Sequence, residues 1–345
     1  MIFQTFPQKQ FQGKYCLSPF VMIEVTVSGE VRMCGCGAWM PTTIGNLKET
    51  TLVDMLQSEL ASRIRQSIID GSYTFCDEKS CGVISNNSLN TIDTLPPEIL
   101  ALLDDATKFI MPHHISFQGD STCNLSCPSC RTHIIKTPPE QKQQQIELGK
   151  ILADNLFSVP SNKKIKLETS GAGEVFASQM LMNFINSIDI EKFPNLELDI
   201  GTNGLMCEKN WHRISKQHDA INKITVSIDA SEADTYEKLR RGGKWPALLD
   251  AMNFLKEQKQ RYNFLLHTRL IVQQQNYKEM HSFYNLCQTW DVDTVEYSRV
   301  TNWGTWTFME YNFHDVFTSD HPEYALAKIE LDKVKQLPNV WFAGL

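Results

Sequence analysis

From His113 onward the apolar positions change period in a regular way. HHISFQGD, KIKLETS, LELDIGTNG, KITVSIDA, FLLHTRLIVQ and TVEYSRV read as short β-rich runs. Between them, QQQIELGKILADNLF, SQMLMNFINSI, NWHRISKQ, the long stretch DTYEKLRRGGKWPALLDAMNFLKEQ and YKEMHSFYNLCQTW carry apolar residues at helical spacing. Six β-then-α units in a row predict an α/β fold with a parallel sheet, either a partial (β/α)6 barrel or an open doubly wound sheet. In both, ligands gather at the carboxyl ends of the strands. The segments CNLSCPSC (123–130), SGAGE and TNG all fall at such ends.

The first 85 residues follow another pattern. CLSPFVMIEVTVSGEVRMC predicts two short strands around a turn at Ser28-Gly29, and TTLVDMLQSELASRIRQSIIDG predicts a helix ending at Gly71. Residues 86–110 start as a linker and continue as a short helix. The expected organisation is a small α+β domain over 1–85, a linker and helix over 86–110, and the α/β domain over 111–345.

Composition narrows the field. With 345 residues, 42% of them apolar and 21% charged, the chain has ample material for a buried core. A net charge of -7 argues against a nucleic-acid partner, and the pairs Lys163-Lys164 and Arg240-Arg241 are too short to reverse that. The sequence has no long apolar run for a membrane span and no signal-like start, so the expected setting is cytoplasmic, without a membrane partner.

Ten cysteines, at 16, 34, 36, 76, 81, 123, 127, 130, 207 and 287, then require a reason. In a reducing compartment, clustered cysteines are metal ligands or redox groups more often than disulfides. Cys123, Cys127 and Cys130 are spaced C-x3-C-x2-C, one thiolate short of the four that usually hold a 4Fe–4S cluster. An iron left open in this way is free for a small chelating ligand. A structural zinc site completed by His133 is the alternative on spacing alone.

CNLSCPSC resembles the signature of the radical S-adenosylmethionine (radical SAM) enzymes, and later segments match that family in order. SGAGEVFAS is similar to its Gly-Gly-Glu segment, with Ala172 in place of a usual glycine and Val175 where proline often stands. IGTNGLM resembles the third-strand Thr-Asn-Gly, and VSIDASEADTYEKLRRGG the fourth-strand block with its arginine. The resemblance spans about residues 113–310. It implies a 4Fe–4S cluster on Cys123, Cys127 and Cys130, with S-adenosylmethionine on the open iron. Reductive cleavage would give a 5′-deoxyadenosyl radical that abstracts hydrogen from a substrate. By the same resemblance, Gly171, Gly173 and Glu174 line the methionine end, with Glu174 accepting from the ammonium. Ser227 and Arg240 become candidates for ribose hydroxyl and carboxylate contacts, Arg241 rivals Arg240, and Asn203 and Asp229 complete the cofactor-binding set. Ordinary strand-end hydrogen bonding is the plainer role for Ser227 and Asp229.

Cys16, Cys34, Cys76 and Cys81 are similar to part of a SPASM or Twitch extension. That implies an auxiliary 4Fe–4S cluster, here preceding the radical domain, with Cys36 able to substitute for Cys34. Zinc is again the competing occupant. Cys207, after TNGLM, is a candidate hydrogen-atom donor, against the plainer role of a small packed side chain. Cys287, on an apolar helix face, reads as core, and His113, His114 and His133 as polar strand-end or surface residues. The aromatic run NWGTWTFMEYNF (302–313) suits either an extended substrate or a lid. The expected substrate is a ribosomally made peptide modified by crosslinking, epimerisation or oxidation, with flavodoxin or ferredoxin as reductant. A small metabolite such as a sugar or amino-acid derivative is the second expectation, and a non-catalytic iron–sulfur redox protein the third.

Overall fold

The computed structural model describes residues 11–169 and 172–345. The chain packs as two compact units. One takes the residues up to Gly119 with Glu140–Glu168 and Ile188–Leu196; the other takes Asp120–Pro139, Thr169–Ser187 and Glu197–Leu345.

In the first unit the strands are β1 (Met22–Val25), β2 (Glu30–Arg32), β3 (Gly45–Asn46), β4 (His114–Phe117) and β5 (Ile165–Thr169). The hairpin forms as predicted: β1 and β2 are antiparallel, and Gly29 turns between them at φ 91°, a conformation few other residues adopt. Its far edge carries β3, antiparallel to β2. On the other side β1 lies parallel to β4, and β4 parallel to β5. The hairpin's first strand is therefore an inner strand, and all four of its residues are buried. The buried Glu24 keeps its charge paired, with Arg32 Nη1 at 3.0 Å and the Gln118 amide donating at 2.5 Å.

The helix expected to end at Gly71 is two helices, Leu52–Gln57 and Glu59–Ile69. Ser58 breaks it, adopting extended backbone and accepting the Ala61 N–H on its hydroxyl as an N-cap. Phe20, Ile68, Tyr73, Leu89, Leu95 and Ile99 form the apolar core beside these helices, with Cys16 and Cys76 packed at its margin.

The second unit holds β6 (Leu196–Thr202), β7 (Ile221–Ser227), β8 (Leu265–Val272), β9 (Thr294–Arg299) and β10 (Val340–Ala343), each parallel to the next. The six predicted strands are thus β4 to β9. The fold is mixed α/β with parallel strands, and neither set closes on itself. β10 was not expected. The long stretch after β7 divides into Ala233–Leu239 and Trp245–Tyr262, because Gly242, at φ 98°, and Gly243 interrupt it. NWHRISKQ is a 3-10 helix kinked at Ile214 rather than an α-helix. Part of the aromatic run forms the helix Phe308–His314, closed by a capping box between Thr307 and Glu310. Among the described residues no helix is long and apolar enough to cross a membrane.

Candidate metal and cofactor centre

The cysteine loop belongs to the second unit, and its shape is set by Asp120, which sequence reasoning missed. Asp120 is buried and accepts from the Thr122 N–H at 2.9 Å, the Thr137 hydroxyl at 2.5 Å and the Ser178 hydroxyl at 2.6 Å. Burial alone would raise its pKa; the hydrogen bonds from Ser178, Thr137 and Thr122 outweigh it and hold the carboxyl below the usual range. Thr122 and Thr137 also bond each other at 2.9 Å, and the Cys123 N–H donates to the Ile135 carbonyl, pinching the loop at its base.

Each of the three thiols has a donor aimed at sulfur. The Leu125 N–H lies 3.4 Å from Cys123 Sγ, Arg240 Nη1 3.8 Å from Cys127 Sγ, and Arg131 Nη2 3.3 Å from Cys130 Sγ. Burial raises the pKa of Cys123 and Cys127; the Leu125 N–H and Arg131 oppose this at Cys123, and Arg240 at Cys127. Donors of this kind favour thiolates and suit cluster-bound sulfur.

Gly173 packs backbone to backbone with the same loop. A Cβ built there would meet the Asp120 carbonyl oxygen at 2.5 Å and that of Thr122 at 2.6 Å. Gly171, another expected site residue, lies outside the described residues. Glu174 is buried, with the Thr202 hydroxyl and Asn203 N–H each donating at 2.6 Å and the Phe176 N–H at 3.1 Å. Burial raises its pKa and these three donors work against the rise. A carboxylate with three donors retains one acceptor site. Asn203 reaches the cysteine loop, its amide donating to Asn124 Oδ1 at 2.9 Å.

Asp229 and Arg240 form a buried ion pair, Nη2 to Oδ2, at 2.8 Å. Asp229 sits at φ 68°, unusual for a residue with a side chain, and is held there by donation from the Ile271 N–H to Oδ1 and from Asn276 to its carbonyl. Arg241 points elsewhere, to Ser126 and the Thr132 carbonyl. Ser227 ends β7, half-buried. Beside Cys127 and Arg240, the fully buried Tyr236 hydroxyl and Arg240 Nε have no hydrogen-bond partner among the described residues. Orphaned buried groups at a site of thiols and charges fit a polar cofactor bound there.

The first unit brings together a second set of thiols. Cys34, just past β2, is pushed up to about 12 mainly by burial; the Cys36 N–H opposes this, and Cys16, Cys81 and Cys36 add to it. Cys76 is raised by burial and then by Cys16, Cys34 and Cys81. Cys36 is raised by burial, lowered by the Ala38 and Trp39 N–H groups, and raised again by Glu24 and Cys81. Cys81 accepts from the Ile84 and Val83 N–H groups, and Cys16 from Ser18. Such mutual influence places five thiols in one neighbourhood, most of them with N–H donors, which fits the sulfur set of a cluster. All ten cysteines are free thiols. Among the described residues no three Cys, His, Asp or Glu side chains converge tightly enough for a single metal ion.

The remaining candidates lie outside the two thiol groups. Cys207 is wholly buried, its sulfur 3.6 Å from the Thr202 hydroxyl. Cys287 is core, as expected, 3.1 Å from the Thr268 hydroxyl. His133 is exposed against Thr132, and His114 Nε2 is 3.2 Å from Glu168.

A thiol triad with donors on every sulfur, a glycine-to-glutamate segment packed on its loop and a separate thiol group fit an iron–sulfur protein with a place for a small polar cofactor. Residues 16–82 match the SPASM family, an iron-sulfur cluster-binding domain. The chain is 22% identical over 200 residues to the antilisterial bacteriocin subtilosin biosynthesis protein AlbA of Bacillus subtilis (strain 168), covering 58% of this chain and 42% of AlbA. It is 26% identical over 125 residues to the FeMo cofactor biosynthesis protein NifB of Methanocaldococcus infernus, covering 34% of this chain and 39% of NifB. The chain thus spans about two fifths of the length of these curated relatives. Among solved structures it is similar to Streptococcus suis SuiB bound to precursor peptide SuiA, at 13% identity and a TM-score of 0.45 over 82% of this chain and 62% of that one. Residues 16–82 thus carry an iron–sulfur cluster-binding module of SPASM type, ahead of strands β4 to β9. An iron–sulfur cluster on this module fits the SPASM match.

Proposed function

We propose that this protein modifies a ribosomally made peptide by radical chemistry, through crosslinking, epimerisation or oxidation. The observation that carries the radical reading is the cysteine loop, where each of Cys123, Cys127 and Cys130 has a donor on its sulfur and Gly173 packs directly behind. These three would hold the cluster whose reduction, with S-adenosylmethionine bound, supplies a 5′-deoxyadenosyl radical able to take a hydrogen atom from a substrate. Gly171, Gly173 and Glu174 are assigned to the methionine end, where the remaining acceptor site of Glu174 would accept a hydrogen bond from the ammonium. Asn203, Ser227, Asp229 and Arg240 are assigned to the rest of the cofactor, with the Asp229 pair fixing the Arg240 fork. Cys16, Cys34, Cys76 and Cys81, or Cys36 in place of Cys34, are assigned to the auxiliary cluster. The full burial of Cys207 favours packing over hydrogen donation. In this reading residues 1–85 form the auxiliary domain, 86–110 a linker and 111–345 the catalytic domain, with flavodoxin or ferredoxin supplying electrons.

Two observations support a peptide substrate. AlbA is by name a bacteriocin biosynthesis protein. In the segment after β9, Trp303, Phe308, Met309 and Phe313 are 58%, 76%, 81% and 56% exposed, a large apolar surface past the carboxyl end of a parallel strand. A small-molecule substrate is the second reading. It is supported by a cavity of about 480 Å³ lined by Gln274, Asn312, Phe313, Asp320, His321 and Glu323.

The test is the release of 5′-deoxyadenosine from S-adenosylmethionine by anaerobically reconstituted, reduced protein, with and without candidate peptides. No release in any condition from cluster-replete protein sinks the catalytic reading and leaves a redox protein. Release stimulated by a metabolite and by no peptide moves the substrate to the second reading.

A further inference from the structure

Arg131 follows the third cysteine of the loop, and no motif singled it out. Its side chain is buried, 8% exposed, and its guanidinium is spent entirely within the loop region. Nη1 donates to the Ser121 carbonyl at 3.0 Å, and Nη2 donates to the Ala172 carbonyl at 2.8 Å and to Cys130 Sγ at 3.3 Å. Two of these partners are neutral carbonyls. Among the described residues Arg131 has no carboxylate within ion-pair distance, so the sulfurs are its counter-charge.

Arg240 provides the internal contrast. It too donates to a loop sulfur, that of Cys127, but its charge is neutralised by Asp229 at 2.8 Å. One of the two guanidiniums touching the thiols is therefore a compensated charge, and the other is not.

We propose that Arg131 is a positioning residue that sets the reduction potential of the cluster held by Cys123, Cys127 and Cys130. The inference rests on the radical SAM reading of those cysteines. A cluster that accepts one electron gains one negative charge. A buried, uncompensated cation hydrogen-bonded to one of its sulfurs stabilises the reduced form more than the oxidised form, which raises the potential. In the low-dielectric surroundings of a buried side chain that preference is larger than a surface arginine would give. The other two bonds of Arg131 hold the guanidinium in place, fastening it between the start of the loop and the segment that leads to Gly173.

The experiment is a dithionite redox titration followed by electron paramagnetic resonance, on wild type, Arg131→Gln and Arg131→Lys. Iron and sulfide are measured on every sample. The signal of this cluster is identified as the one that is absent from a Cys123→Ala, Cys127→Ala, Cys130→Ala variant. The expected result is wild-type iron in both Arg131 variants, with the midpoint of Arg131→Gln shifted to more negative potential. Arg131→Lys keeps the charge but loses the fork, so its midpoint lies between the two. A midpoint unchanged in Arg131→Gln at full iron content overturns the proposal. Loss of iron from that variant overturns it as well, making Arg131 a structural tie of the loop. If wild type and the triple cysteine variant hold the same iron and give the same signal, it is the underlying reading of the cysteines that fails.

Discussion

Arg240 and Arg241 are neighbours in sequence whose guanidiniums part company. Arg240 turns to Asp229 at 2.8 Å, while Arg241 Nε donates to the Ser126 hydroxyl at 3.0 Å and its Nη2 to the Thr132 carbonyl at 3.0 Å. The backbone carbonyl of Arg241 also accepts the Ser126 N–H. One residue serves the strand end and the other clasps the cysteine loop. Arg241→Ala removes the clasp and leaves the ion pair intact. Loss of bonds worth about 1–2 kcal/mol corresponds to about tenfold faster amide exchange in the segment 124–132. Exchange there at the wild-type rate would mean that the loop is held by its base alone.

Gly173 has no room for a methyl group, because two carbonyl oxygens stand within 2.6 Å of where it would go. Both belong to backbone, so neither can rotate away as a side chain would. Gly173→Ala should lower stability by about 1–3 kcal/mol through overpacking, and should reduce the iron bound by the loop. Thermal denaturation and iron analysis check this together. A variant with the wild-type melting temperature and full iron content would contradict the close approach.

Iron and sulfide content after anaerobic reconstitution counts the centres. Two 4Fe–4S clusters correspond to about eight irons in wild type and about four in the Cys123→Ala, Cys127→Ala, Cys130→Ala variant. About four and about none would instead assign zinc or no metal to Cys16, Cys34, Cys76 and Cys81.

Burial lowers the pKa of His267 below the ordinary 6.5; Lys223 lowers it further, and Asp293, Asp199 and Glu296 act in the other direction. His218, stacked on Trp211, is lowered by burial, with the Trp211 carbonyl and Asp219 opposing. Below the unfolded value the unfolded chain takes up protons that the folded chain refuses. These histidines therefore leave stability intact above that pH and reduce it as pH falls through it, until the folded rings titrate too. The melting temperature should fall between about pH 7 and about pH 5.5, and fall less in His267→Gln. An equal slope in wild type and variant would exclude His267 as a source.

The six strands β4 to β9 were legible because each is a short apolar run followed by a helical period, a pattern that local residues alone decide. β10 was not, since VWFA is only four residues long and acquires its strand identity by pairing with β9. The cysteine triad was legible from spacing, but its supports were not. Asp120 and Arg131 are ordinary polar residues until the fold brings Ser178 and Ala172 to them, and nothing in one dimension announces that. The opposite headings of Arg240 and Arg241 were equally hidden. A pair of arginines is symmetric in sequence, and the partners the fold supplies, Asp229 for one and Ser126 for the other, make it asymmetric. For the break of the long helix at Ser58, the signal was present: a serine followed by an acidic residue is an ordinary N-terminal signature.

The parallel pairing of β1 with β4 also governs the order in which the molecule can assemble. During synthesis Met22–Val25 leaves the ribosome with only its hairpin partner available, and its other neighbour, His114–Phe117, emerges roughly ninety residues later. Until then an inner strand, with Met22, Ile23 and Val25 still unburied and Glu24 lacking the Gln118 amide, waits with one hydrogen-bonding edge open, and the thiols of the same segment wait with it. A cluster held by the N-terminal cysteines would therefore gain its settled surroundings only after β4 has docked, when a third of the chain has been made.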